Sequence, residues 1–175
     1  MTGLNVSPSY TSTDTPVAIP DDNPTGASSV IAVPDVKTVT DVNLTVNITH
    51  TFDGDISLYL IGPNGAQVEL SIGNGGSGQN YTNTVFDDEA TTPIGAGSPP
   101  FTGSFQPQQP LSTFDGITAA GNWTFKVVDN YGWDVGTIDS WTLNLTYPAA
   151  SCPDTPLFTD DFESGNAAAW SHVVP

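Results

Sequence analysis

Positive charge is nearly missing from this chain. Lysine and arginine together number 2, Lys37 and Lys126, against 19 aspartates and glutamates, for a formal net charge of −17. Binding to DNA, RNA or an anionic membrane draws on basic side chains that displace condensed counterions, so the composition excludes those partners. Histidine is almost as scarce, with 2 residues, His50 and His172. Serine-protease chemistry needs a serine, a histidine and an acid converging beside oxyanion donors. Nothing resembling Gly-x-Ser-x-Gly or Gly-Thr-Ser-Met-Ala follows His50, so the chain is not read as an enzyme. Two histidines and one cysteine at these separations make no zinc set either. Cys152 stands alone, which rules out a disulfide framework within the chain and leaves a thiol with no catalytic role. No apolar run reaches the length a membrane span needs, and Met1-Thr2-Gly3 opens without the basic and apolar stretches of a secretion signal.

What is present is alternation. Val42, Leu44, Val46 and Ile48 interleave with Asn43, Thr45, Asn47 and Thr49, the period of a strand with one buried and one wet face. Ile56, Leu58 and Leu60 repeat it, and Gly62-Pro63-Asn64-Gly65 supplies turn chemistry before a return strand at Val68 and Leu70. Further strands are read at Ser29–Val33, at Trp123, Phe125 and Val127, and at Trp141, Leu143, Leu145 and Tyr147. Helical spacing is absent until Asn166–Ala169. Many short strands with turns between them predict an all-β fold, a jelly-roll-like antiparallel β-sandwich. Its expected extent is 17–148, after a linker or opening strand at 1–16. Residues 149–175 read as a linker and the start of an incomplete following module. The glycine-rich run Gly73–Gly78 lacks the lysine and helix of a phosphate cradle and is read as a flexible turn. Residues 86–116, rich in proline, are read as a long irregular loop, a length usually pinned or functional.

The acids fall in loops: Asp21-Asp22-Asn23, Asp53-Gly54-Asp55, Asp87-Asp88-Glu89, and Asp129-Asn130 with Asp134. Crowded like charges repel unless a cation screens them, and two lysines cannot. Calcium, which takes six to eight oxygens, is the expected cofactor. One candidate set joins Asp21 or Asp22 to Asp87, Asp88 and Glu89, where a cation would pin the 86–116 loop. A second joins Asp53 and Asp55 to Asp129. The bland alternative, solvated acids forming Asx turns, stays open. His50 is read as structural, its imidazole bonded to a neighbouring loop. Trp123 and Trp141 fall on buried phases and are expected in the core. Trp133, between Gly132 and Asp134, is read as a loop residue that either packs locally or is exposed for contact with a catalytic domain or a sugar.

Several segments together resemble a known family. His50-Thr51-Phe52-Asp53-Gly54-Asp55-Ile56 resembles the His-Thr-x-x-Gly-Asp-Leu segment of proprotein convertase P domains, and Gly62-Pro63-Asn64-Gly65 is similar to the turn that follows it. Phe86–Ala90 and Phe101–Pro107 look like the bacterial branch. Gly121-Asn122-Trp123 resembles the Gly-x-Trp strand, and Gly136-Thr137-Ile138-Asp139-Ser140-Trp141-Thr142-Leu143 the closing Gly-Thr-Leu-x-Ser-Trp-x-Leu motif. The likeness runs over about residues 19–147. It implies a β-sandwich that performs no chemistry and packs beside a subtilisin-like catalytic domain in the same parent chain, supporting its folding and stability. A secreted, extracellular bacterial protein, monomeric, is expected. The rival reading is a calcium-dependent module that binds carbohydrate or protein, with Trp133, Tyr131 and Tyr81 as stacking residues.

Overall fold

The computed structural model describes residues 5–148. Cys152, His172 and the segment 149–175 lie outside them. The strands in chain order are β1 (Ser9–Thr11), β2 (Val17–Ile19), β3 (Asn23–Val33), β4 (Asp41–His50), β5 (Ile56–Ile61), β6 (Gln67–Ile72), β7 (Tyr81–Phe86), β8 (Phe101–Phe105), β9 (Gly121–Asp129) and β10 (Gly136–Thr146). Among the described residues helix is confined to 3-10 turns at Asp53–Asp55, Ile94–Ala96 and Leu111–Phe114. A 6-stranded sheet runs β1-β10-β4-β7-β8, with β2 also on β10, and a 4-stranded sheet runs β3-β9-β5-β6. The all-β sandwich is what the alternation predicts.

The two sheets meet through the apolar phases of their central strands. Register on β4 and β10 sets Leu44 opposite Leu143 and Val46 opposite Trp141, and all four are buried. They face Trp123, Phe125 and Val127 of β9 and Leu58 and Leu60 of β5, buried as well. Such pairing aligns whole apolar rows, because a slip of one residue would turn every row to water. Each buried tryptophan also satisfies its indole N–H. Trp123 donates to the Ala119 carbonyl at 2.9 Å. Trp141 donates to Ser29 Oγ across the sandwich at 2.6 Å, and Ser29 Oγ donates in turn to Asp14.

Three features depart from simple alternation. Between Ile138 and Ser140 the β4–β10 register shifts, a bulge that lets Ile138 and Trp141 both face inward. Residues 9–11, read as linker or opening strand, pair with β10. Within the proline-rich 86–116 stretch, β8 pairs with β7 in parallel. Parallel neighbours need a crossover of a dozen or so residues, and the irregular segment 87–100 is that crossover. The sandwich is otherwise antiparallel in its strand pairs.

Candidate functional site

At one end of the sandwich β4 closes on His50, and three buried ionisable groups gather there. His50 is 1% exposed, and Asp53 and Asp129 are each 0% exposed. His50 Nε2 lies 3.3 Å from Asp129 Oδ2, while Nδ1 lies 2.9 Å from the Phe52 carbonyl. The backbone makes room for this ring. A Cβ on Gly136, which pairs with His50, would fall 2.2 Å from His50 Cδ2 and 2.6 Å from the Thr49 carbonyl oxygen. Asp129, the last residue of β9, accepts the Tyr131 N–H on Oδ1 at 3.2 Å.

Asp53 opens the 3-10 turn after β4 and fastens the glycine-rich loop. Its N–H donates to the Gly78 carbonyl at 2.8 Å, and the Gly54 N–H donates to the Gly76 carbonyl at 2.9 Å. Its Oδ1 accepts the Asn80 N–H at 2.9 Å, and Asn80 Oδ1 accepts the His50 N–H at 3.0 Å. Gly75 has φ +100°, and a Cβ there would sit 2.9 Å from Asp53 Cβ and 2.8 Å from Pro99. The loop read as flexible is thus a packed cradle around a carboxyl group. Asp53 Oδ2 meets no hydrogen-bond partner among the described residues. Burial pushes this carboxyl up to about 6, against the opposing pull of the Asn80 N–H and of His50. Asp55 is raised too, by burial first and then by the neighbouring Asp134 and Asp129 carboxylates.

The loop from Tyr131 to Val135 caps this end. The Trp133 N–H donates to Asp21 Oδ2 at 3.3 Å. Thr51 Oγ1 donates to Asp134 Oδ1 at 2.7 Å and accepts the Val135 N–H at 3.0 Å. Trp133 is 97% exposed and holds φ +88°, a left-handed conformation rare for a bulky residue.

The other acids stand elsewhere. Asp88 accepts the N–H groups of Leu111 and Ser112 at 2.8 and 2.9 Å and caps the 111–114 turn. Asp87 Oδ1 accepts the Glu89 N–H at 2.8 Å in an Asx turn. Glu89 is raised by its hydrogen bond to Asp87, then by burial and by Asp41. Asp115 is raised by burial and by the Asp41 and Asp88 charges. An open hollow of about 260 Å³ lies beside Asp88, Gln106, Pro107, Gln108 and Pro110.

These placements separate the candidate ligands. Asp21 and Asp22 follow Ile19, which pairs with Gly136 beside His50. Asp87 follows Phe86, which pairs with Leu44. Six strand positions, about 20 Å at ~3.3 Å per residue, part the two groups. The structure does not bring Asp21 or Asp22 to Asp87, Asp88 and Glu89. It does bring Asp53, Asp55 and Asp129 to one end, but among the described residues no three histidine, cysteine, aspartate or glutamate side chains gather as a metal-binding group. Tyr81 is corrected as a stacking residue. It is 1% exposed, stacks on Phe101 at 4.7 Å and shares a 2.9 Å hydrogen bond with Ser71. Asn80 went unnoticed as a connector, although asparagine tolerates the left-handed φ of +76° that it adopts. Val135 was missed beside Trp133 because only the loop's exposure reveals it.

Among the described residues no helix is long and apolar enough to cross a membrane. The chain is 30% identical over 131 residues to the transglutaminase-activating metalloprotease of Streptomyces mobaraensis, covering 75% of this chain and 14% of that protein. It is 28% identical over 131 residues to leupeptin-inactivating enzyme 1 of Streptomyces exfoliatus, covering 74% and 24%. It therefore spans under a quarter of the length of these relatives. The fold is similar to that of the Aeromonas sobria serine protease solved in complex with its chaperone, with a TM-score of 0.57 at 19% identity over 84% of this chain and 28% of that one. The family model for the proprotein convertase P-domain matches residues 39–145, more than half of the sequence, including the elements that carry His50, Asp53 and Asp129. The chain belongs to the proprotein convertase P-domain family.

Proposed function

We propose that this chain is the non-catalytic accessory domain of a secreted bacterial protease, docked on the catalytic domain of the same polypeptide and supporting its folding and stability. The observation that carries the reading is the burial of the one His–Asp pair among the described residues. His50 and Asp129 are 1% and 0% exposed, so the groups best suited to acid–base work hold loops in place and meet no substrate. The protease relatives, of which this domain would be a minor part, support the partner. Tethering gives an effective concentration in the millimolar range. Against an intrinsic affinity of about 10 μM, that would stabilise the catalytic domain by about 2.7 kcal/mol. The test is the parent protease made with and without this chain. A longer half-life of activity on heating with the domain present supports the reading, and equal half-lives refute it. A subtilisin-like serine peptidase is the proposed parent, supported by the Aeromonas fold likeness. The metalloprotease relative favours a metallopeptidase parent instead, and inhibition of the parent by a serine reagent as against a zinc chelator decides between the two.

We propose calcium at the Asp55–Asp134 contact. The neighbouring Asp134 carboxylate raises the proton affinity of Asp55, and a cation between the two would relieve that repulsion, its remaining ligands being backbone oxygens and water. A melting temperature that falls on chelation, and no longer does so in Asp55→Asn, supports this. A chelator-insensitive wild type removes it.

A further inference from the structure

The Tyr131–Val135 loop combines exposure, strain and fixation. Tyr131, Trp133 and Val135 are 64%, 97% and 63% exposed, at alternate positions along one short segment. Apolar groups clustered in this way mark contact surfaces, whereas scattered ones need no account. Trp133 adopts φ +88°, a conformation the fold would relieve by glycine there. The loop is nonetheless held at Trp133 by Asp21 and at both polar groups of Val135 by Thr51. The backbone that carries the aromatic residues is therefore held in place.

The charge around them is of one sign. Asp21 bonds the Trp133 backbone, a Cβ on Gly132 would lie 3.8 Å from Asp22 Cβ, and Asp134 is in the loop itself. The lysines are elsewhere: the Lys37 carbonyl accepts the Ala119 N–H, and Lys126 lies in mid-strand on β9 between Ser28 and Tyr59. An indole and a phenol ringed by carboxylates match a guanidinium, which stacks on an aromatic face and pairs with carboxylates in one plane. We propose that this loop is a docking tongue for a protein surface that presents arginine side chains around an apolar hollow. It deepens the accessory-domain reading by giving the chemistry of the partner's face, and so rests on it.

The test titrates the chain by calorimetry, in calcium-free buffer at low salt, with a peptide of arginines flanking a leucine pair. The same peptide carrying citrulline, a neutral isostere, is the control. The expected result is binding at least tenfold tighter for arginine than for citrulline, weakened tenfold or more by Trp133→Ala and severalfold by Asp22→Asn. Asp115→Asn, an equal change of charge at the far end, leaves the affinity as it was. No binding, equal binding of the two peptides, or unchanged binding by Trp133→Ala overturns the proposal. So does an equal loss in Asp22→Asn and Asp115→Asn, which would mean diffuse attraction to a chain of net charge −17. Half-life of the tethered protease is read separately: if it still lengthens while the titration fails, the tongue is wrong and the accessory role stands.

Discussion

The two ends of the sandwich use the same residue types in opposite ways. At the His50 end two carboxylates are enclosed and a tryptophan stands in water: Asp53 and Asp129 are 0% exposed while Trp133 is 97% exposed. At the Asp41 end Phe86 and Phe114 are buried, and the carboxylates of Asp87, Asp88 and Glu89 serve short turns near the surface. Stability alone favours the second arrangement, since charge is cheapest in water and aromatic surface most useful in the core. The first arrangement spends stability on a fixed surface shape, which is how a binding face differs from ordinary packing.

The largest test of that contrast removes the imidazole. His50→Ala strips Asp129 Oδ2 of its partner in a site closed to water, and loss of one member of a buried pair costs about 3–5 kcal/mol. Urea unfolding at pH 7 should show a loss of that size. A loss below about 1 kcal/mol would show that water reaches Asp129 and that the two ends do not differ in kind.

Next in size is the response to pH. Asp53 titrates at about 6 in the folded chain against 3.8 in its ordinary state. Its folded value is raised, so the unfolded chain is the stronger acid, and the stability this group contributes is fully present below pH 3.8. That contribution falls as pH rises from there and is gone above about 6. Two units correspond to a change of up to about 3 kcal/mol. Asp53→Asn keeps an oxygen for the Asn80 N–H and cannot ionise. The wild type should therefore lose stability relative to this variant between pH 4 and 6, with the difference level above 7. Parallel curves would place the Asp53 carboxyl in contact with solvent.

At the opposite end Asp88→Ala frees the Leu111 and Ser112 N–H groups. A lost cap of this kind costs about 1–2 kcal/mol, less than His50→Ala because water can replace the carboxylate. A loss equal to that of His50→Ala would erase the distinction between the ends.

The strands were legible wherever one face is wet and one dry. Val42 to Thr49 and Trp141 to Thr146 alternate cleanly, and both form central strands. β8 was hidden because Phe101 and Phe105 stand among prolines and enclose exposed polar residues, and its parallel pairing has no local signature. The acidic loops were visible as residues but not as neighbours. Which of them meet depends on β2 joining β10 and on the bulge at Ile138 and Ser140, long-range facts that loop composition does not encode. The His-Thr-x-x-Gly-Asp segment marked the important end because part of its bonding is local, His50 Nδ1 meeting the Phe52 carbonyl two residues on, whereas the ties to Asn80 are long-range and carried no local signal. The cradle of Gly75 and Gly78 against Pro99 required knowledge of the crossover.

The smallest expected effect is the most informative in sign. A bulky residue at φ +88° sits where left-handed backbone costs roughly 1–2 kcal/mol for anything but glycine. Trp133 recovers little of this by packing, being 97% exposed. Trp133→Gly should therefore raise stability by up to about 1 kcal/mol, part of the relief being offset by the greater freedom of glycine in the unfolded chain. The truncations His50→Ala and Asp88→Ala are both expected to lower stability, so a gain here, paired with lost affinity for the arginine peptide, separates a residue kept for contact from one kept for folding. A destabilised Trp133→Gly would instead mean that the indole packs on the domain itself, and of the loop's two aromatic rings only Tyr131 would then be offered to a partner.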